Sequence, residues 1–289
     1  MAVTVTRFAP SPTGYLHLGH AFAALYAAEL AARAAGRFLV RIEDTDRTRA
    51  RPEFEAAIFE DLAWLRLTWE QPMRRQSEHF GDYAKALETL KALGCAYPCF
   101  CTRKEIEAEF AASVNAPQGP DGPIYPGTCR ALSPLEREQR LAGGDQHAWR
   151  LDVASALALI GTPLSFEELG RGPHDERGTI AVTADLFGDF VLARKDAPAS
   201  YHLAVVVDDA LQGVSLVTRG NDLFAAAHVH RLLQALLKLP APQYSHHRLI
   251  LDATGKRLAK RDQATTLKHL RADGWTPARV REAVGITSR

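Results

Sequence analysis

The stretch Arg7-Phe-Ala-Pro-Ser-Pro-Thr-Gly-Tyr-Leu-His-Leu-Gly-His20 decides how the rest of this 289-residue chain reads. It follows the alternating Val3-Thr-Val5 and precedes an alanine-rich run from Ala21 to Ala35 closed by Gly36, so the local order is strand, loop, helix. Two prolines and two glycines stiffen the loop and let its backbone approach a ligand. A helix starting near Leu18 turns unpaired N–H groups and a positive dipole end toward that loop, which suits phosphate. His17 and His20 sit at the helix start, where an imidazole can donate to a phosphate oxygen without a permanent charge, or simply cap and pack the helix.

Working outward, Arg37-Phe-Leu-Val-Arg-Ile-Glu43 reads as a strand buried on at least one face and ending in the acidic turn Glu43-Asp-Thr-Asp46. In an open α/β sheet ligands sit beyond the carboxyl ends of strands, so Glu43 and Asp44 share a rim with the 7–20 loop. Glu43 there can hold an ammonium, whereas Asp44 and Asp46 also suit a cap on the helix starting near Pro52. Helices are expected at Pro52–Leu65 and His79–Leu93, the second closed by Gly94. From Cys95 to about Arg150 prolines and glycines break the chain, with short helices signalled by Thr102-x-x-Glu105 and Ser133-Pro-x-Glu136. This reads as an insertion, continued by short strands and turns from His147 to Arg194. The core then resumes through Lys195–Asp209, a strand ending at Arg219, a helix over Asp222–Leu239 and a strand at Arg248–Leu251. His228 and His230, two apart on that helix, do not share a face and so argue against a metal pair.

The totals are those of an ordinary globular chain, with 46% apolar residues and a net charge of +1. No long apolar run and no basic-then-apolar leader is present, so neither a membrane span nor a secretory signal is expected, and a cytoplasmic protein follows. Charge is uneven: Lys256 to Arg289 carries nine Lys/Arg against three Asp/Glu, which fits either phosphate binding or a solvated helical face. All four cysteines, Cys95, Cys99, Cys101 and Cys129, fall within one short window, which in a reducing compartment points to metal ligation. Cys99-Phe-Cys101 and Cys129 supply three thiolates, one short of a closed tetrahedral zinc shell, and Cys95 is the fourth ligand the residues alone suggest.

Pro-Ser-Pro-Thr-Gly joined to His-Leu-Gly-His at a strand-to-helix turn resembles the signature of class I aminoacyl-tRNA synthetases, and Arg7 to Gly14 resembles their glutamyl and glutaminyl branch. Gly255-Lys-Arg257-Leu258-Ala259-Lys260-Arg261 resembles the second signature of that class, Lys-Met-Ser-Lys-Ser, with Arg257 for the first lysine and Ala259 for the serine. Cys-x-Cys, a loop, then Tyr-x-x-x-Cys is similar to the zinc module of the glutamyl-queuosine-tRNA(Asp) synthetases. That resemblance implies one structural Zn2+ on Cys99, Cys101, Tyr125 and Cys129, and leaves Cys95 as a rival to Tyr125.

The fold so implied is α/β: a Rossmann-type parallel-sheet nucleotide-binding domain in two halves, residues 1–94 and 188–251. A zinc-containing α+β insertion at 95–187 splits it, and a loop and short helical, basic C-terminus follow at 252–289. The resemblance further implies that ATP, with Mg2+, meets His17, Gly19, His20 and the 257–261 loop, with His17, His20 and Lys260 catalytic. L-glutamate would be bound by Arg7, Phe8, Ala9, Pro10, Ser11, Glu43, Tyr201 and Arg219. An arginine from each half, Arg7 and Arg219, favours a substrate with a second negative charge. The expected activity is tRNA-independent formation of glutamyl-adenylate and transfer of glutamate to queuosine in tRNA(Asp) by a monomer. The distance from Lys260 to Arg289 argues against the long anticodon-reading part of a full glutamyl-tRNA synthetase. Charging of a tRNA 3′ end, a non-catalytic nucleotide- or tRNA-binding paralogue, and a ligase acting on a small acceptor or carrier protein are the other readings.

Overall fold

Val5 to Phe8 is buried on both faces and forms β1 (Val5–Phe8), paired in parallel with β2 (Arg37–Ile42), of which every residue after Arg37 is buried. Parallel neighbours need a crossover, supplied here by α1 (Leu18–Arg33). After α2 (Pro52–Trp64) a short parallel strand, β3 (Arg74–Arg75), extends the sheet beside β2, and α3 (Phe80–Ala92) follows. This computed structural model describes residues 3–112, 118–120, 122–251 and 265–286; the segment carrying Arg257 to Arg261 lies outside them.

The next segment contains β4 (Ala96–Cys99), α4 (Arg103–Ala112), β5 (Gln118–Gly119), β6 (Gly122–Pro123), α5 (Pro134–Ala142), β7 (Ala148–Leu151), α6 (Val153–Ile160), β8 (Ser165–Glu168), β9 (Gly178–Ala181) and β10 (Val191–Ala193). Both capping boxes read from the sequence are formed: Thr102 with Glu105, and Ser133 with Glu136. β4, β7 and β10 make an antiparallel sheet of their own. Two expectations change here. α6 is a helix where strands and turns were expected, begun by Asp152, whose carboxylate accepts from the Ser155 N–H. β8 lies outside the β4, β7 and β10 sheet and pairs with the core strand β12 (Gln243–His247), because Phe166 and Glu168 on its inner face are both buried there.

The second half of the core is α7 (Tyr201–Leu211), β11 (Leu216–Gly220), α8 (Ala226–Leu236) and β12, followed by α9 (Leu267–Ala272) and α10 (Pro277–Ala283). β11 and β12 are parallel, and the Ser215 N–H donates to the Val5 carbonyl, so β11 lies alongside β1 and joins the two halves. The strand expected at Arg248–Leu251 is instead Gln243–His247. Its Tyr, Ser and His side chains are buried because each finds a polar partner, which hydrophobic patterning does not see.

One apolar layer packs Phe22, Leu25, Ile42, Ile58 and Leu62 against Leu267, Leu270, Val280 and Val284 of the two last helices. Each such aliphatic side chain contributes roughly 1.5–3 kcal/mol. The basic tail is thus half core. A second layer packs α3, α6, α7 and α8 through Leu87, Val153, Leu203, Val206, Leu232 and Leu233. Among the described residues no helix is long and apolar enough to cross a membrane.

Candidate active site

His17 is the N-cap of α1. Its Nδ1 accepts from the Gly19 N–H at 3.1 Å, and the Nδ1 of His20 accepts from the His17 N–H at 3.2 Å. A neutral imidazole that accepts at Nδ1 carries its proton on Nε2, so the capping role read from the sequence is met while both rings keep a donor N–H. A Cβ on residue 19 would lie 2.9 Å from the His17 ring, which only glycine avoids. Thr266, six positions after Lys260, bridges to His17, and the Leu267 N–H donates to the Leu16 carbonyl. The chain that follows Lys260 is therefore anchored on the His17 turn.

Beside this turn lies a buried charge network absent from the sequence reading. Arg7 donates to Asp209 through Nε at 3.1 Å and Nη2 at 3.3 Å, and through Nη1 to the Thr218 carbonyl at 3.0 Å. Arg41, fully buried, donates to Asp209 at 2.7 Å, to Gln212 at 3.0 Å and to Glu43 at 3.1 Å. Burial opposes the Arg41 charge, but Asp209, Glu43 and Asp208 outweigh it and hold the guanidinium above its ordinary range. Burial pushes the Glu43 carboxyl up, against Arg41 and Arg7. Asp208 accepts from Arg74 at 2.6 Å, Gln76 at 2.8 Å and Tyr83 at 2.9 Å. Asp209 already neutralises Arg7, so of the two arginines only Arg219 is left to meet a substrate's second negative charge. Asp44 and Asp46 do not cap α2: Asp44 accepts from Ser77, and Asp46 from Thr48 and Arg49.

Arg219, near the end of β11, is 6% exposed and meets no carboxylate among the described residues. Its Nε donates to His246 Nε2 at 3.0 Å, and its Nη1 faces His230 Nδ1 at 3.2 Å and the Tyr201 hydroxyl at 3.5 Å. Its Nη2 is buried without a hydrogen-bond partner. His230 is thus engaged by Arg219, while His228 on the other side of α8 accepts from the Thr183 N–H, so the two do not converge on a metal.

The thiols of Cys99, Cys101 and Cys129 lie within 4.8 Å of one another. Cys101 Sγ is 3.4 Å from both Cys129 Sγ and the Tyr125 hydroxyl. Ligands about 2.3 Å from a tetrahedral zinc stand about 3.8 Å apart, so this set fits one ion. The Phe100 N–H donates to Cys129 Sγ at 3.3 Å and the Cys129 N–H to the Tyr125 oxygen at 2.9 Å, both of which favour the anionic ligand. Cys95 packs instead with Tyr83, Leu87 and Leu151, in a different cluster from Cys99 and Cys129.

Three cavities adjoin. One of about 490 Å³ is lined by Arg7, Phe8, Ala9, Pro10, Ser11, Glu43, Tyr201 and Arg219, all eight residues expected at the amino acid. It shares His20, Ala23, Gly220 and Asp222 with one of about 170 Å³ bounded by His17, Gly19 and Arg248. It shares Ser11, Thr13, Glu43 and Tyr201 with one of about 420 Å³ that reaches Tyr125 and Arg150. A larger space, about 980 Å³, opens at the other end of β2 beside Gly36, Arg37 and Trp69 and includes none of these residues. The sequence matches the family described as tRNA synthetases class I (E and Q), catalytic domain, over residues 3–287.

The chain belongs to this class I synthetase family. It is 50% identical over 286 residues to a glutamyl-Q tRNA(Asp) synthetase of Rhodobacter capsulatus, covering 98% of this chain and 100% of that protein. It is 39% identical to a glutamate–tRNA ligase of Aquifex aeolicus, spanning 55% of that longer protein. A crystal structure of a glutamate tRNA ligase from Elizabethkingia meningosepticum, in complex with its amino acid, superposes with a TM-score of 0.79 at 28% identity, covering 98% of this chain and 60% of that one. In this class I synthetase the residues that sequence reasoning missed are Arg41, Asp208, Asp209, Glu168 and His246. The available signals were charges set inside apolar runs, as in Leu39-Val-Arg-Ile42 and Val205-Val-Val-Asp-Asp209.

Proposed function

We propose that this ATP-dependent ligase forms glutamyl-adenylate from L-glutamate and ATP without requiring tRNA, and transfers the glutamyl group to queuosine in tRNA(Asp). The observation that carries the amino-acid reading is Arg219: a buried guanidinium with neutral neighbours, a partnerless Nη2, and a place on the wall of the 490 Å³ cavity. A buried cation without a counter-ion is costly, and the γ-carboxylate of glutamate supplies the missing charge where the amide of glutamine would not. Glu43, which lines the same cavity, receives the α-ammonium. The α-carboxylate oxygen then attacks the α-phosphorus of ATP, the bond to the bridging oxygen breaks, and pyrophosphate leaves with that electron pair. The α1 N-terminus and the Nε2–H groups of His17 and His20 stabilise charge on the phosphates, and Lys260 is assigned to the leaving pyrophosphate. A hydroxyl of the acceptor next attacks the acyl carbonyl and AMP departs.

The acceptor reading is supported by the full-length match to the Rhodobacter protein, and by the third cavity, which joins the amino-acid pocket to the insertion. Zinc on Cys99, Cys101, Tyr125 and Cys129 would cross-link β4 to the segment around Cys129 and stiffen that wall. The test is glutamate-dependent ATP–pyrophosphate exchange with and without tRNA, followed by mapping of the labelled nucleotide. Exchange without tRNA and label on the queuosine nucleotide support the proposal. Label that leaves with the 3′-terminal adenosine on ribonuclease digestion shows an ordinary charging enzyme, and absence of exchange shows a binding paralogue.

A further inference from the structure

We infer that Glu168 and His246 form a positioning relay that fixes Arg219 by selecting one tautomer of His246, and so sets the enzyme's preference for a substrate carboxylate. This rests on the reading of Arg219 as the glutamate anchor. Arg219 Nε–H can only donate, so His246 Nε2, 3.0 Å away, must accept. The imidazole proton is then on Nδ1, which faces Glu168 Oε2 at 2.5 Å. Glu168 is held in turn: its Oε1 accepts from the His246 N–H at 2.9 Å and from the Gly170 N–H at 2.8 Å. A Cβ on residue 170 would lie 2.3 Å from the His246 carbonyl and 2.9 Å from Glu168 Oε1, so the glycine is what allows this approach. Glu168 and His246 are both 1% exposed, and the Tyr244 ring lies parallel to His246 at 5.9 Å. Burial and Arg219 push His246 down to about 4 against the pull of Glu168, which keeps the ring neutral.

The arrangement orients a cation without cancelling it. A carboxylate bonded directly to Arg219 would neutralise the charge the substrate needs, as Asp209 does for Arg7. With a neutral imidazole between, Glu168 dictates direction while its own oxygens are occupied by three N–H groups. Glu168 comes from β8, within the segment the sequence places in the insertion, so that segment takes part in substrate choice as well as in facing the acceptor.

Glu168→Gln tests this. The amide can satisfy both backbone N–H groups with its oxygen, but its NH2 then faces His246 Nδ1, drives the proton to Nε2 and sets it against the Arg219 Nε–H. Glutamate-dependent exchange should show the glutamate KM raised about tenfold or more, with kcat and the ATP KM within about twofold, and reduced discrimination against glutamine. Nitrogen-15 histidine spectra of the full chain should place the His246 proton on Nδ1 in the wild type and on Nε2 in the variant. A folded Glu168→Gln protein with unchanged glutamate KM overturns the relay, as does a wild-type His246 protonated on Nε2, a measurement that needs no variant. Should the wild type activate no glutamate, the functional reading falls, and the wild-type tautomer still decides the relay.

Discussion

Asp209→Asn preserves shape and removes one charge from the network beneath the amino-acid pocket. Asp209 accepts two bonds from Arg7 and one from Arg41, and the three side chains are 6%, 5% and 0% exposed. Deleting one partner of a buried ion pair costs about 3–5 kcal/mol. Arg41 retains Glu43, and Arg7 retains the Thr218 carbonyl, so the lower end, about 3 kcal/mol, is expected at neutral pH. Urea denaturation read by circular dichroism measures it as a lowered midpoint. The sign with pH follows from the carboxyl itself: burial opposes its charge, but Arg7 and Arg41 prevail and hold it below the usual range. A depressed folded value gives stability that is complete above the unfolded value, about 3.9, and is lost as pH falls through the folded one. The gap between wild type and variant should therefore be constant near neutrality and close only below about pH 4. Equal midpoints at pH 7, or a gap unchanged down to pH 3, would refute the assignment of Asp209 as the shared anion.

Arg219→Gln should raise the glutamate KM about tenfold to a hundredfold in pyrophosphate exchange while leaving the ATP KM alone, because it removes a charged hydrogen-bond donor from one pocket only. Purified protein should hold one equivalent of zinc by metal analysis, lost in Cys101→Ala and kept in Cys95→Ala; retention by the first or loss from the second contradicts the ligand geometry. Asp61, fully buried with both oxygens lacking hydrogen bonds and Arg271 at 3.7 Å, is pushed up to about 6 by burial. Stability linked to its proton is complete below about pH 4 and lost as pH rises through about 6, so Asp61→Asn should unfold later than the wild type at pH 8, by on the order of 1 kcal/mol.

What could be read in advance was whatever acts over short stretches of chain. The α1 start declared itself because His17, Gly19 and His20 bond to one another's backbone, and the boxes at Thr102 and Ser133 close within three residues. The three thiols were legible as a cluster, whereas the packing of Cys95 into a different hydrophobic cluster from Cys99 and Cys129 was not. Long-range polar pairs were not legible. Arg41 and Asp209 are 168 positions apart, and Glu168 and His246 are 78 apart, so neither local pattern names the other member. Gln243–His247 carries no strand signal for the same reason, since its polar side chains are buried by partners elsewhere and not by apolar periodicity.

The arginines of β1, β2 and β3 carry a consequence for the order in which the chain is made. Arg7, Arg41 and Arg74 leave the ribosome long before Asp208 and Asp209, the carboxylates that later hold them together. Until α7 emerges, Arg7 lacks its carboxylate and Arg41 and Arg74 have only Glu43 and Asp82, so burying these three cations stays costly in that part of the nascent chain. Closure of the pocket thereby waits for the second half of the sheet, and a fragment stopped before residue 208 should remain open and salt-sensitive.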